Sequence, residues 1–108
     1  LPLVQILQPP TSKVSPSEKL VLQGYIAAEN REYSSTAYWA SPEFTDLSAA
    51  SINLIESPVA PFSSLVLFLV IPASELNGGS YLTFALFASY DANPSAAAYS
   101  QVEVEVNS

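Results

Sequence analysis

YLTFALFASYDANPSAAAYSQVEVEV, residues 81–106, carries the pattern on which the fold turns. In its second half Ala98, Val102, Val104 and Val106 are apolar at even positions, while Gln101, Glu103 and Glu105 between them are polar. Successive side chains of an extended chain point to opposite faces, so the alternation predicts a strand over 96–106 with one buried and one wet face. The first half repeats the logic over 81–90. Leu82, Phe84, Leu86 and Ala88 share one face and Thr83 and Ser89 the other, with Phe87 an aromatic exception expected to be exposed or covered by a partner. The Asp, Asn, Pro and Ser cluster between the halves is turn chemistry.

Working towards the N-terminus, Leu65 to Ile71 is apolar at every position, which predicts a strand whose outer face meets a neighbour. Leu20, Leu22 and Ile26 mark another strand, with Lys19, Gln23 and Tyr25 on its second face and Gly24 where a kink or a close backbone approach would be tolerated. Tyr33 to Ala40 is dense in Thr, Tyr and Trp and reads as a fourth. Leu3 to Leu7 reads as an edge strand ended by Pro9 and Pro10, which have no N–H for a ladder. The looser stretch 41–64 is expected to be a long connection with one or two short strands and a helical turn at 46–52. Lys13, among Thr11, Ser12, Ser15 and Pro16, reads as part of a wet loop. About seven short strands in a single domain of 108 residues describe an all-β, two-sheet sandwich of the immunoglobulin or fibronectin III kind. In that frame Trp39 is the aromatic buried between the sheets, and Tyr81, following the turn 77–80, is placed as a tyrosine-corner residue.

Composition removes much chemistry. The chain has no His and no Cys, so Ser-His-Asp triads, Cys-His nucleophiles, zinc or copper sites of nitrogen and sulfur, and thiol redox centres are excluded. Ten acids against three bases, a net charge of −7, argue against a nucleic-acid partner, since affinity for phosphate rests on clustered Lys and Arg and here Lys13, Lys19 and Arg31 are scattered. The longest apolar run is far short of the roughly 20 residues that span a bilayer, so membrane insertion by this segment is not expected. The first residues lack the basic and cleavage regions of a signal peptide, and the chain reads as a processed subunit or a module of something longer. No cofactor is implied.

The run LVIPASELNGGSYLTFALFAS, 69–89, together with LVLQG at 20–24, AYWASPEF at 37–44 and VEVEVN at 102–107, resembles the receptor-for-egg-jelly (REJ) module, a relative of the PKD domains of polycystin-type surface proteins. The matching positions are Ile71-Pro72, Leu76, Gly78-Gly79, Tyr81 and Phe84, followed by a closing strand that ends in Asn; the WDFGDG-like run of plain PKD domains is missing. The resemblance implies an immunoglobulin-like, tandemly repeated, non-catalytic module of extracellular or cell-surface proteins, including ciliary or flagellar coats and fibres. It also implies neighbouring copies of the same or a similar module as partners. Trp39, Leu76, Gly79 and Tyr81 are then core and corner residues.

Other candidates come from the residues themselves. Leu1, Leu3, Phe68 and Phe87 are expected at contacts with neighbouring domains. Glu103 and Glu105, with Glu29, Glu32 or Asp91, are the oxygen ligands a calcium ion would need, although no Asp-x-Asp-x-Asp spacing is present. Pro16, Pro42, Pro58 and Pro61 follow Ser or Ala, contexts similar to those of hydroxyproline-linked sugars in wall proteins; ordinary turn punctuation is the favoured account of them. No Asn lies in an N-glycosylation context. Three functions stand in order: a structural or adhesive module stacked head to tail, a pilus-type subunit that donates residues 1–10 to the next subunit, and a carbohydrate-binding module with Tyr25, Tyr38 or Tyr99 as stacking platforms.

Overall fold

A computed structural model describes residues 1–108. Eight strands form two sheets: β1 (Leu3–Ile6), β2 (Thr11–Val14), β3 (Leu20–Ala28), β4 (Ser35–Ala40), β5 (Glu56–Val59), β6 (Ser63–Ile71), β7 (Tyr81–Tyr90) and β8 (Ala98–Val106), with one short α-helix, α1 (Leu47–Ala50), and a single 3₁₀ turn at Ala73–Glu75. One sheet has the order β1-β3-β6 and the other β2-β8-β7-β4-β5. All pairings are antiparallel except β2 with β8, where Thr11 to Val14 lie alongside Glu103 to Val106 in parallel. The segment read from sequence as a wet loop around Lys13 is therefore an edge strand. Pro9 and Pro10 end β1, and the chain crosses from one sheet to the other there. This edge strand brings the total to eight, against the seven or so expected from the sequence.

The alternation read from the sequence sets the core. Leu82, Phe84, Leu86 and Ala88 of β7 and Val102, Val104 and Val106 of β8 point inward, against Leu20, Leu22 and Ile26 of β3 and Leu67, Leu69 and Ile71 of β6. Trp39, only 1% exposed, lies between the sheets as expected, and its indole Nε1 donates to the Leu67 carbonyl at 3.2 Å. A buried indole N–H left without a partner would be costly, so this bond also fixes how the sheets sit on each other. Gly24 packs beneath that ring: a Cβ there would come within 3.0 Å of Trp39 Cζ2 and 3.2 Å of the Leu67 carbonyl oxygen, and nearer still to Leu86 Cδ2. Ser35 is the one buried polar side chain whose hydroxyl has no partner.

The connection 41–64 holds α1, β5 and a link that closes a sheet edge. Asp46 caps α1, accepting from the backbone N–H of Ser48 and Ala49. Its carboxyl lies below the ordinary carboxylate range, first because of the Ser48 hydroxyl and then the Ala49 N–H. Beyond the helix, Ile52 N–H donates to Val70 O, and the Asn53 side chain lies along β6, its Nδ2 donating to Phe68 O at 2.6 Å and its Oδ1 accepting from Val70 N at 3.0 Å. Gln8 does the same beside β3, where β1 has ended: its Oε1 accepts from Gln23 N–H at 3.0 Å. Two side-chain amides thus stand in for missing strands.

The sandwich is elongated, 47 × 25 × 20 Å. Leu3 pairs with Ala27, at the end of β3, so the chain enters at the pole that also holds Phe62, whose N–H donates to Asn30 O, and the β7–β8 turn. β8 runs to the opposite pole, where Asn107 N–H donates to Val14 O and Gly79 N–H to Val106 O. Gly79, with φ of 83°, makes the turn that a side chain would strain, and Leu76 is buried beside it.

Candidate functional site

The surface is organised by rows of side chains across each sheet, because register decides which outward residues touch. On the five-stranded sheet, Tyr38, Phe87 and Tyr99 are direct cross-strand neighbours. The Tyr38 and Phe87 rings stack with centroids 5.4 Å apart and planes 18° apart, and Phe87 meets Tyr99 at 5.8 Å. Phe87, the exception in the alternation, is therefore half-buried, flanked by two aromatic rings of its own chain. The Tyr38 and Phe87 rings spend faces on each other, faces a stacked sugar would use. Tyr25 is on the other sheet, so the three tyrosines read as stacking platforms do not form one surface.

Next to this row lies a shallow groove lined by Ala40, Ser41, Pro42, Thr83, Ala85, Phe87 and Gln101. Farther along the same sheet, Tyr81, Glu105 and Lys13 form a polar row. Tyr81 OH donates to Glu105 Oε1 at 3.0 Å, and Lys13 Nζ is 3.5 Å from Glu105 Oε2. Tyr81 is 68% exposed, which corrects the expected tyrosine corner: with Leu82 and Phe84 inward, the period of a strand forces Tyr81 outward. The Glu105 carboxylate, as hydrogen-bond acceptor and then as nearby negative charge, pushes the Tyr81 phenol up.

The acids considered for calcium do not converge, and no three acidic side chains form a cluster. Glu105 is engaged by Tyr81 and Lys13. Asp91 sits at the entry pole, accepting from Ser34 Oγ and Thr36 Oγ1, each at 2.6 Å; these two bonds, Ser34 first, hold its carboxyl below the usual range. Pro16, Pro42 and Pro61 occupy turns, and Pro58 lies in the edge strand β5. The turn at Pro61 leads into Phe62, whose φ of 52° is the one positive value outside glycine.

The outer face of the three-stranded sheet differs in kind. Register brings together Gln5, Tyr25 and Val66 in one row, Gln23 and Phe68 with Leu7 in the next, and Val21 with Val70 beyond. Leu3, Leu7, Val21, Val66 and Phe68 are exposed, and Leu1 lies beyond them at the entry pole; Phe68, in the all-apolar strand expected to meet a neighbour, is 44% exposed. Not one outward residue of this sheet is charged. Lys19 and Glu29, both exposed, flank β3 immediately beyond its two ends. The contiguity of this patch escapes sequence reasoning, because Leu7, Gln23 and Phe68 meet only through the sheet order.

The architecture is that of an immunoglobulin-like β-sandwich. Among solved structures the chain is similar to the ASH/PapD-like domain of human CEP192 (PapD-like domain 7), with a TM-score of 0.56 and 10% identity, over 95% of this chain and 84% of that one. No protein-family model matches the chain, and no curated protein matches it.

Proposed function

We propose that this chain is a non-catalytic structural or adhesive module of an extracellular or cell-surface protein, stacked head to tail with like modules in a fibre, ciliary coat or surface stalk. The observation that carries the reading is the placement of the two ends of the chain at opposite poles of a sandwich 47 Å long. A module entered at one pole and left at the other lengthens an array by nearly its full long axis, whereas ends on one side would fold the array back. The order of REJ-like motifs supports the same reading, as does an inventory of side chains without His or Cys.

The test is the intact mass of the native polypeptide under denaturing conditions. A mass several times 11.5 kDa, cut by limited proteolysis into related domain-sized pieces, is the expected result. A native polypeptide near 11.5 kDa overturns the covalent array.

A further inference from the structure

From the uncharged outer face of β1-β3-β6 we infer that two copies of this module associate face to face across it, with their β3 strands antiparallel. The inference concerns lateral contact and does not require the modules to be covalently linked.

Charge selects the occupant. The chain carries −7, and its charges lie on the five-stranded sheet, in the loops and at the poles, with none on this face. Two copies meeting through it bring together Leu3, Leu7, Val21, Tyr25, Val66 and Phe68 while keeping the acidic sheets on the outside of the pair. A basic partner would gain nothing from a neutral surface and would be drawn to the other sheet.

Charge also selects the geometry. The chain's one internal ion pair is Lys13–Glu105, so Lys19 and Glu29 are free of partners at the two ends of β3. A two-fold axis across the strands swaps those ends, setting Lys19 of each copy against Glu29 of the other. A two-fold along the strands sets like charge against like. Closed pairs with a self-complementary patch are the commonest symmetric assembly, and stacked sheets favour nearly aligned strands.

The extent of the face sets the strength. Three strands spaced about 4.8 Å apart and up to nine residues long, at about 3.3 Å each, give a footprint of roughly 400 Å² per copy. That is well below the roughly 800 Å² per partner of a standard stable interface, so the pair is weak and reversible. Crowding in an array would populate it.

Sedimentation equilibrium over a concentration series reaching about 1 mM, where millimolar dissociation constants become measurable, tests the inference. The weight-average mass is expected to rise from 11.5 kDa towards twice that value. Phe68→Glu is expected to weaken association at least tenfold, and Lys19→Glu or Glu29→Lys several-fold each. The double swap Lys19→Glu/Glu29→Lys, which leaves the net charge unchanged, should return the dissociation constant to within about twofold of the original, as expected when a charge-pair contribution is restored. Far-UV circular dichroism identifies any variant that fails to fold, and the two rim charges, both exposed, offer a second route if Phe68→Glu does. A chain that stays monomeric throughout overturns the inference and leaves the face to a different partner. Association that the double swap fails to restore overturns the antiparallel geometry.

Discussion

Replacing Gly24 by Ala adds one carbon at a crowded point of the core, against the Trp39 ring and Leu86. The backbone there is ordinary strand, so the effect is one of space and not of conformation. The new Cβ would overlap Leu86 Cδ2, lie 3.0 Å from Trp39 Cζ2 and 3.2 Å from the Leu67 carbonyl oxygen. Leu86 is fully buried and cannot swing into solvent, the Trp39 ring is tethered to Leu67 O, and the carbonyl belongs to the backbone of the neighbouring strand β6, where Leu67 pairs with Gly24 itself. Overpacking of this kind costs about 1–3 kcal/mol, and the stiffer unfolded chain of Ala returns roughly 0.5 kcal/mol. A net loss of about 1–2 kcal/mol follows, equivalent to a Tm lowered by roughly 5–10 °C for a domain of this size. Urea unfolding followed by fluorescence of the single Trp, Trp39, measures it directly. Leu86→Ala makes the mechanism specific. Alone it leaves a cavity and costs about 2–5 kcal/mol, but in its presence the added Cβ has room, so the Gly24→Ala cost should largely vanish. A Gly24→Ala protein as stable as the original, or costs that add in the double variant, would refute the close-approach account.

Tyr81→Phe removes the hydroxyl that donates to Glu105 but leaves an exposed ring, so Tm near neutral pH should move by only about 3 °C or less; a buried corner tyrosine would give a far larger drop on the same thermal melt. The raised phenol pKa has its own signature: the contribution of Tyr81 is complete below the unfolded phenol's pKa and lost as pH rises through the folded one, so alkaline unfolding should be steeper in the original than in Tyr81→Phe. Asp91 behaves oppositely. Its lowered carboxyl contributes stability above the unfolded carboxylate range that disappears as pH falls through the folded pKa, and acid melts of Asp91→Asn should be flatter than those of the original. Asn53→Ala removes two bonds to the backbone of β6, for about 1–2 kcal/mol in urea unfolding, and light scattering should detect faster aggregation through the uncovered edge.

How legible this fold was in the sequence depends on the kind of partner each segment has. β7, β8 and β3 each bury one face along most of their length, so a period of two is written into their own residues, and Gly24 stood out as a gap in the apolar series. The same period held the correct answer for Tyr81, since an inward Leu82 requires an outward neighbour; the turn before it was a weaker cue. β2 carries no comparable signal. Thr11 to Val14 is short and mostly polar, and it becomes a strand through a parallel partner some ninety residues away in the chain. The pairs Lys13–Glu105 and Asn53–β6, and the row of Leu7, Gln23 and Phe68, are likewise consequences of register and sheet order. Individual contact candidates such as Leu3 and Phe68 could be picked by hydrophobicity, but the absence of charge across the whole face becomes visible only once the strands are in place.

The treatment of edges and faces bears on how the module would meet a neighbour. An exposed strand edge invites another chain to add to the sheet, and this protein obstructs each of its edges. Asn53 occupies the backbone groups of β6 at Phe68 and Val70, and the Ile6 N–H of β1 donates to Ser100 Oγ. Pro58 deprives β5 of an N–H, and the charged Lys13 stands on β2. β1 itself is paired with β3 of its own chain through Leu3 to Ile6, so exchange of residues 1–10 between subunits would first have to open that pairing. The apolar face of the three-stranded sheet has no such guard. In the proposed array, a surface that excludes added strands while leaving one neutral face bare would direct association to side-chain packing between sheets, and weak packing repeated from module to module would give cumulative strength while each contact stays reversible.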